Sequence, residues 1–484
     1  MELLVVLGLP VALALIPLVI KEIRKIAVYH TAGYFVLMIF SLVLAGRLTG
    51  RSISYRDFFY ADALSGFFVL LISLVSFIAS LYSVNYIGED VRDNIISNRK
   101  ARLYYLLFDM FVFTMFFSTV VDNLGIIWVS IEMTTLTSAF LVGFYNKKES
   151  VEAAWKYIII CSVGIALALF GTILFYYTAS LNAGVHSLNW TEISAVSAKL
   201  NPNVLKIAFL FILVGFGTKA GLAPMHTWLP DAHSQAVTPV SALLSGVLLK
   251  TALYAILRYM IIVNKCIGPE FTGNLLVFLG LISLVVAAVF IIVQKDIKRL
   301  LAYSSIEHIG IIAVGIGFGT WLGYYGALLH MFNHAVTKSL MFFGAGNIIK
   351  KYRSHNIRQI TGVLQSMPLT GFMLLIGVFA LSGSPPFSIF LSEIMVLIAG
   401  FTGKSFAACF IFLACIAVIF AGLIFHFSGL LFGKKPAAMQ VFVEPMSNKI
   451  LFIFLGIIMV YFGLAIPEYF NNILKASINI LQGM

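Results

Sequence analysis

Apolar residues run along this chain in continuous blocks and not in alternation. Stretches of about 20 residues, the length that crosses a bilayer core of about 30 Å, recur almost from end to end with short polar interruptions between them. Backbone polar groups inside lipid must be satisfied within their own segment, so each block predicts a helix; alternating ten-residue strands, the mark of a membrane barrel, are absent from the pattern. The blocks predict about fourteen spans, centred near Ala12, Met38, Leu74, Phe111, Val129, Ala166, Leu213, Leu248, Ile282, Ile312, Leu340, Ala380, Ala417 and Ile457. The first block, Leu3 to Ile20, carries no small-residue cleavage site and is followed by Lys21, Arg24 and Lys25, so it reads as a membrane helix and not as a leader.

Basic residues crowd alternate connections. They follow spans 1, 3, 5, 9, 11 and 13 as Lys21/Arg24/Lys25, Arg92/Arg99/Lys100/Arg102, Lys147/Lys148, Lys295/Lys298/Arg299, Lys350/Lys351/Arg353/Arg358 and Lys434/Lys435. Arg47, Arg51 and Arg56 are the main exception. Positive loops stay cytoplasmic, which predicts both termini on the outer side of a cell membrane.

Two internal echoes suggest repeats. Tyr157, Gly164 and Gly171 recur in spacing as Tyr303, Gly310 and Gly317, and Gly221-Leu-Ala-Pro224 resembles Gly383-Ser-Pro-Pro386. Each Gly/Pro motif falls inside an apolar block and should break its helix, which is a transporter signature. The expectation is an all-α integral membrane protein with two inverted repeats of five helices, each containing a broken helix (spans 7 and 12). The corresponding divisions are 1–100 for the N-terminal helices, 101–265 and 266–432 for the repeats, and 433–484 for the C-terminal helix and tail.

Composition sharpens this in one respect. The 484 residues are 61% hydrophobic and 11% charged, with a net charge of +12. The basic residues lie between apolar blocks, so the charge reads as lipid-headgroup and topology signals, and nucleic acid is excluded as a partner. The four cysteines, Cys161, Cys266, Cys409 and Cys415, form no metal-binding spacing, so no iron–sulfur ligation is expected within this chain.

The candidate chemistry is the set of charges that interrupt apolar blocks. Each costs about 2.5–3.5 kcal/mol at mid-bilayer and so tends to line water or face a partner. Glu132 lies a few turns into span 5. Lys219 precedes the break in span 7, where burial favours a neutral amine and a nearby carboxylate favours an ammonium. Lys250 lies in the middle of span 8, where snorkelling to the interface is difficult. His330, His334 and Lys338 are spaced by four in span 11, on one face over about 12 Å. Histidine titrates near neutral pH and hands protons on. Glu393 follows the break in span 12. Secondary candidates are His226, Asp231 and His233 beside the first break, Asp296 and Lys298 opening span 10 with Arg299, and Glu307 and His308 further along it; gating, capping and interfacial ion pairing are the competing roles. Asp109 and Arg258 remain open on the sequence. His330 and His334 resemble a zinc pair only superficially, because no third ligand is apparent, and no metal is expected.

Three stretches carry a family resemblance: FGTKAGLAPMHTWLPDAHSQA from Phe216 to Ala236, DIKRLLAYSS from Asp296 to Ser305, and HMFNHAVTKSLMF from His330 to Phe342. They resemble the antiporter-like subunits of respiratory complex I, Mrp-type sodium/proton antiporters and group 4 membrane-bound [NiFe] hydrogenases, over essentially the whole chain. EMTTLTSAFLVGFY from Glu132 and EAAWKYIIIC from Glu152 look most like component F of hydrogenase-4. The resemblance implies that Glu132 pairs with Lys219, that Lys250 relays, that His330, His334 and Lys338 form a central axis, and that Glu393 ends it. It implies proton translocation driven by a redox reaction in partner subunits. A NiFe centre and Fe–S clusters would lie there, with no cofactor in this chain and no catalytic centre of its own. It also implies other membrane subunits and peripheral redox subunits as partners, with protons, or sodium in the Mrp-type alternative, as cargo.

Overall fold

The computed structural model describes residues 2–437 and 439–483. Continuous helices form wherever an apolar block is unbroken: α1 (Glu2–Val19), α2 (Ile23–Leu48), α3 (Ala63–Arg92), α4 (Asn98–Val120), α5 (Leu124–Val142), α6 (Lys148–Ala183), α8 (Thr238–Ile267), α9 (Glu270–Val293), α10 (Ile297–Gly317), α11 (Trp321–Tyr352), α13 (Phe406–Phe432) and α14 (Met446–Leu464). Span 7 is split into α7a (Pro202–Ala220) and α7b (Leu229–Gln235), and span 12 into α12a (Pro368–Leu381) and α12b (Ser388–Thr402). Among the described residues, twelve helices are long and apolar enough to cross a membrane. Adding α11, made less apolar by its His, Asn and Lys residues, and the split α12 gives fourteen spans. A two-stranded hairpin, Ile53–Tyr55 with Phe59–Ala61, closes the α2–α3 connection.

Polar side chains start these helices where the sequence offers them. Asp62 caps α3 by accepting from the Ser65 amide at 3.0 Å, Asn123 caps α5, Asp296 caps α10 by accepting from the Arg299 amide at 2.9 Å, and Thr320 caps α11. Each supplies an acceptor for an amide that has no partner in the first turn.

The helices α4–α8 and α9–α13 form two sets of five, each with its fourth member broken. Five crossings are an odd number, so the second set starts on the opposite face from the first and is inverted. The Gly/Pro echo obeys this register, α7 against α12. The Tyr–Gly–Gly echo does not, because it falls on α6 and α10, four helices apart. Its glycines serve helix packing instead. A side chain at Gly171 would meet the Ala208 carbonyl of α7a at 2.8 Å, and one at Gly310 would meet the Gly280 carbonyl of α9 at 2.7 Å. Small residues allow such close backbone approach in membranes.

Burial separates the helices by role. The apolar windows of α3, α8 and α10 are 89%, 100% and 94% buried, against 33% for α2 and 28% for α14. Every residue of α11 from Gly323 to Ile348 is buried as well. These four helices form the axis of the molecule, and the outer helices present Leu15, Phe140, Phe410 and Phe425 to lipid.

Candidate functional site

The first half of the site gathers at the α7 break. Lys219, wholly buried, lies in the last turn of α7a two residues before Gly221, whose φ of +81° turns the chain out of the helix. The Thr218 carbonyl, left without its helical partner, accepts from the Trp228 indole at 2.9 Å. Trp228 lies against Tyr157 of α6 with ring centroids 4.6 Å apart. Lys219 Nζ donates to Thr135 Oγ1 of α5 at 2.8 Å and to the Tyr157 hydroxyl, which shares a 2.7 Å hydrogen bond with Ser138. Thr135 Oγ1 in turn donates to Glu132 Oε2 at 3.3 Å, and Ser162 donates to Glu132 Oε1 at 2.7 Å. Among the described residues no carboxylate oxygen lies within 4.0 Å of Lys219 Nζ. The expected Glu132–Lys219 pairing is therefore not a direct contact. It runs through one threonine hydroxyl.

The second half is a string along the central helices. The α8 helix contains a π turn over Leu244–Leu248, which displaces backbone carbonyls from regular pairing. Lys250 Nζ donates to two of these, Gly246 O at 2.5 Å and Ser245 O at 3.2 Å, and approaches His334 Nδ1 at 2.8 Å. The His334 and His308 rings are 4.6 Å apart, His308 Nδ1 lies 2.9 Å from His330 Nε2, and His330 Nδ1 lies 2.9 Å from Ser392 Oγ. Glu393, adjacent in sequence to Ser392, brings its carboxylate beside His308 and His330.

The network assigns the tautomers. Ser392 donates its single hydroxyl proton to the Ile389 carbonyl at 2.8 Å, so His330 donates from Nδ1 and accepts at Nε2. His308 then donates from Nδ1 to His330. His334, accepting from the Lys250 ammonium at Nδ1, holds its own proton on Nε2. The protons on Lys250, His308 and His330 point towards Ser392, while His334 Nε2 and His308 Nε2 have no hydrogen-bond partner among the described residues, so His334 meets His308 by ring contact alone.

Two details differ from the sequence reading. Lys338 makes no hydrogen bond to the string among the described residues; it donates to Leu301 O and Ser304 Oγ of α10, both at 2.5 Å. His308, a secondary candidate on the sequence, is the middle link. Thr135, Tyr157, Ser304 and Ser392 had no distinguishing signal, because hydroxyl residues are common in these helices. Among the described residues no hydrogen bond joins the Lys219 cluster to Lys250.

The remaining candidates divide by position. Asp231 forms ion pairs with Lys156 at 3.3 Å and Arg299 at 3.1 Å, so Arg299 pairs with it and not with Asp296. Asp296, besides its capping role, faces His355 at 3.6 Å. His233 is buried, with Nδ1 on the Leu229 carbonyl at 2.9 Å, and His226 sits in the break with Nδ1 unpartnered. Lys298 donates to the Ala236 carbonyl at 2.6 Å and lines a cavity of about 830 Å³ together with Asp90, Lys147, Lys350 and His355. That cavity opens among the basic loops. Glu307 is buried on α10 with Oε2 unpartnered. Arg258 makes a bidentate pair with Asp62, both contacts at 2.7 Å, and packs over Trp190 at 4.5 Å; it ties α8 to the cap of α3. Asp109 faces His30 at 2.9 Å and accepts from Tyr34 at 2.8 Å, away from the string.

Residues 121–420 match the family described as NADH:quinone oxidoreductase/Mrp antiporter, TM. The chain is 43% identical over 364 residues, 75% of each chain, to the hydrogenase-4 component F homolog of Methylacidiphilum infernorum. It is similar in structure to a chain of an archaeal membrane-bound sulfane sulfur reductase, a respiratory membrane complex, with a TM-score of 0.88, 23% identity and 99% and 97% of the two chains covered. It is also similar to a chain of the Mrp complex from Dietzia sp. DQ12-45-1b, with a TM-score of 0.86, 17% identity and 100% and 98% covered.

Proposed function

Because the chain belongs to the NADH:quinone oxidoreductase/Mrp antiporter transmembrane family, we propose that it is the proton-translocating membrane subunit of a redox-driven complex of the group 4 [NiFe] hydrogenase type. The observation that carries this reading is the string of buried groups from Lys250 through His334, His308 and His330 to Ser392 and Glu393. A structural core has no need to place a lysine, three imidazoles and a carboxylate side by side in an apolar interior. The likeness to hydrogenase-4 component F favours the hydrogenase type over an Mrp antiporter.

In this mechanism the Lys219 ammonium is held by Thr135 and Tyr157 under the influence of Glu132. A rearrangement driven from a redox partner weakens that hold and frees the proton. Lys250 accepts a proton and delivers it to His334, and the imidazoles pass it on towards Glu393, across the His334–His308 ring contact and then along the His308–His330 hydrogen bond. Non-helical backbone at the two breaks is tolerated at membrane depth where it lines water, so the breaks at Gly221–Pro224 and Gly383–Pro386 serve as half-channels. The NiFe centre and Fe–S clusters belong to partner subunits, and the chain sits in the prokaryotic cell membrane with both termini outside.

The test is Lys219→Ala in the assembled complex. Proton pumping should be lost while the subunits still co-purify with a nickel–iron large subunit. Full pumping in assembled complexes would overturn the assignment.

A further inference from the structure

The crossing of α10, α11 and α12b places three strong metal ligands together. One nitrogen each of His308 and His330 and one oxygen of Glu393 lie within 4.8 Å of one another. We propose that His308, His330 and Glu393 form a binding site for a divalent transition-metal ion of the Zn2+ class.

Three observations carry this. The first is the donor set. Two imidazoles and a carboxylate, with a fourth position open, is a set that binds zinc with Zn–N of about 2.0–2.1 Å. Tetrahedral geometry at that bond length sets ligand atoms on the order of 3.3 Å apart. His308 Nδ1 and His330 Nε2 already stand 2.9 Å apart, so they need little movement. The Glu393 carboxylate must close by roughly 1.5 Å to reach the same spacing.

The second is unspent bonding capacity. Glu393 Oε1 is buried and has no hydrogen-bond partner among the described residues. The carboxylate is 6% exposed as a residue and His308 not at all. Buried polar atoms are nearly always paired, so this unpartnered carboxylate oxygen beside two imidazoles calls for an occupant.

The third is orientation and access. Ser392 holds His330 by Nδ1, the arrangement that outer partners impose on zinc-bound histidines, so its Nε2 lone pair faces His308 Nδ1; an ion bound between them replaces that hydrogen bond, and the His308 proton moves to its unpartnered Nε2. Glu393 abuts the α12 break, since a side chain at Gly383 would sit 2.0 Å from its Oε2. Gly383 is half-buried and Pro385 and Pro386 are exposed, so the carboxylate is the first ligand an ion meets on passing the break. The sequence offered His330 and His334 no third ligand; the fold pairs His330 with residues of two other helices.

Binding stands on this ligand geometry. Its consequence, that a bound ion interrupts the relay, rests on the function proposed above, and the test reads bound metal and not proton flux, so the two can fail separately. The purified complex is stripped with chelator and titrated with Zn2+ alone. Wild type should bind one more Zn2+ per copy of this subunit than Glu393→Gln or His308→Asn, and its zinc X-ray absorption should show two imidazoles and a carboxylate in the difference. His186→Asn, at an exposed position, should bind as wild type does. Equal zinc in wild type and both ligand variants would overturn the site. If the ligand variants fail to assemble, the wild-type spectrum decides alone: a first shell without imidazole overturns it.

Discussion

Lys219 Nζ donates to Thr135 Oγ1 at 2.8 Å, and it is this hydroxyl, not the lysine, that meets Glu132. A hydroxyl can accept from an ammonium while donating to a carboxylate, so one side chain transmits the charge of each to the other. Thr135→Val keeps the shape and removes both bonds. A hydrogen bond to a charged group contributes about 1.5–3 kcal/mol, so the expected loss in proton-pumping rate is tenfold or more. Thr135→Ser should retain most of the rate. Proton uptake into vesicles carrying the assembled complex measures both.

Lys250 is held by backbone that cannot be mutated away. Lys250→Met preserves length and apolar bulk but leaves Ser245 O, Gly246 O and His334 Nδ1 without their donor. Proton transfer should fall to background with the complex assembled. Pumping at half the wild-type rate or above would show that protons bypass the lysine.

Gly383 carries two constraints at once. Its φ is +66°, a region that costs other residues about 1–2 kcal/mol, and the Glu393 carboxylate occupies the space a Cβ needs. Gly383→Ala should lower the melting temperature slightly and impair pumping much more, since it moves the carboxylate that ends the string. Thermal unfolding and proton uptake on the same preparation separate the two effects.

Arg258 and Asp62 test a structural role. Asp62→Ala strands a buried guanidinium, which costs about 3–5 kcal/mol. Stability and assembly should suffer. The double variant Asp62→Leu with Arg258→Met should recover much of the loss and pump normally, as read by melting temperature and by proton uptake. Loss of pumping in a stable double variant would move this pair into the relay.

Some of this was open to reading in one dimension. Block length and continuity dictate helices in lipid, because no other open structure satisfies the backbone there. Gly221 to Pro224 and Gly383 to Pro386 dictate breaks, because proline lacks an amide and glycine adopts positive φ at little cost. Lys219, Lys250, His330, His334 and Glu393 stood out because charged or titratable groups in apolar blocks are expensive. The Tyr157 and Tyr303 echo misled because glycine spacing answers to helix packing, which recurs without repeat symmetry.

Partnership was another matter. A single helix shows which of its residues are polar but not which helix they face. Thr135 and Ser392 look like ordinary membrane-helix hydroxyls until α7a and α11 are packed against them. His308 looked secondary because its two imidazole neighbours lie on α11, 22 and 26 residues further along the chain. Lys338 shares a face with His330 and His334 yet turns to α10, because Leu301 O and Ser304 Oγ are the acceptors within its reach. The sequence by itself determined the helices, their breaks and the costly charges, since solvation and local backbone chemistry govern these. Only the tertiary structure decided the order of the string and its direction, because hydrogen bonds between helices depend on distances that local sequence does not encode.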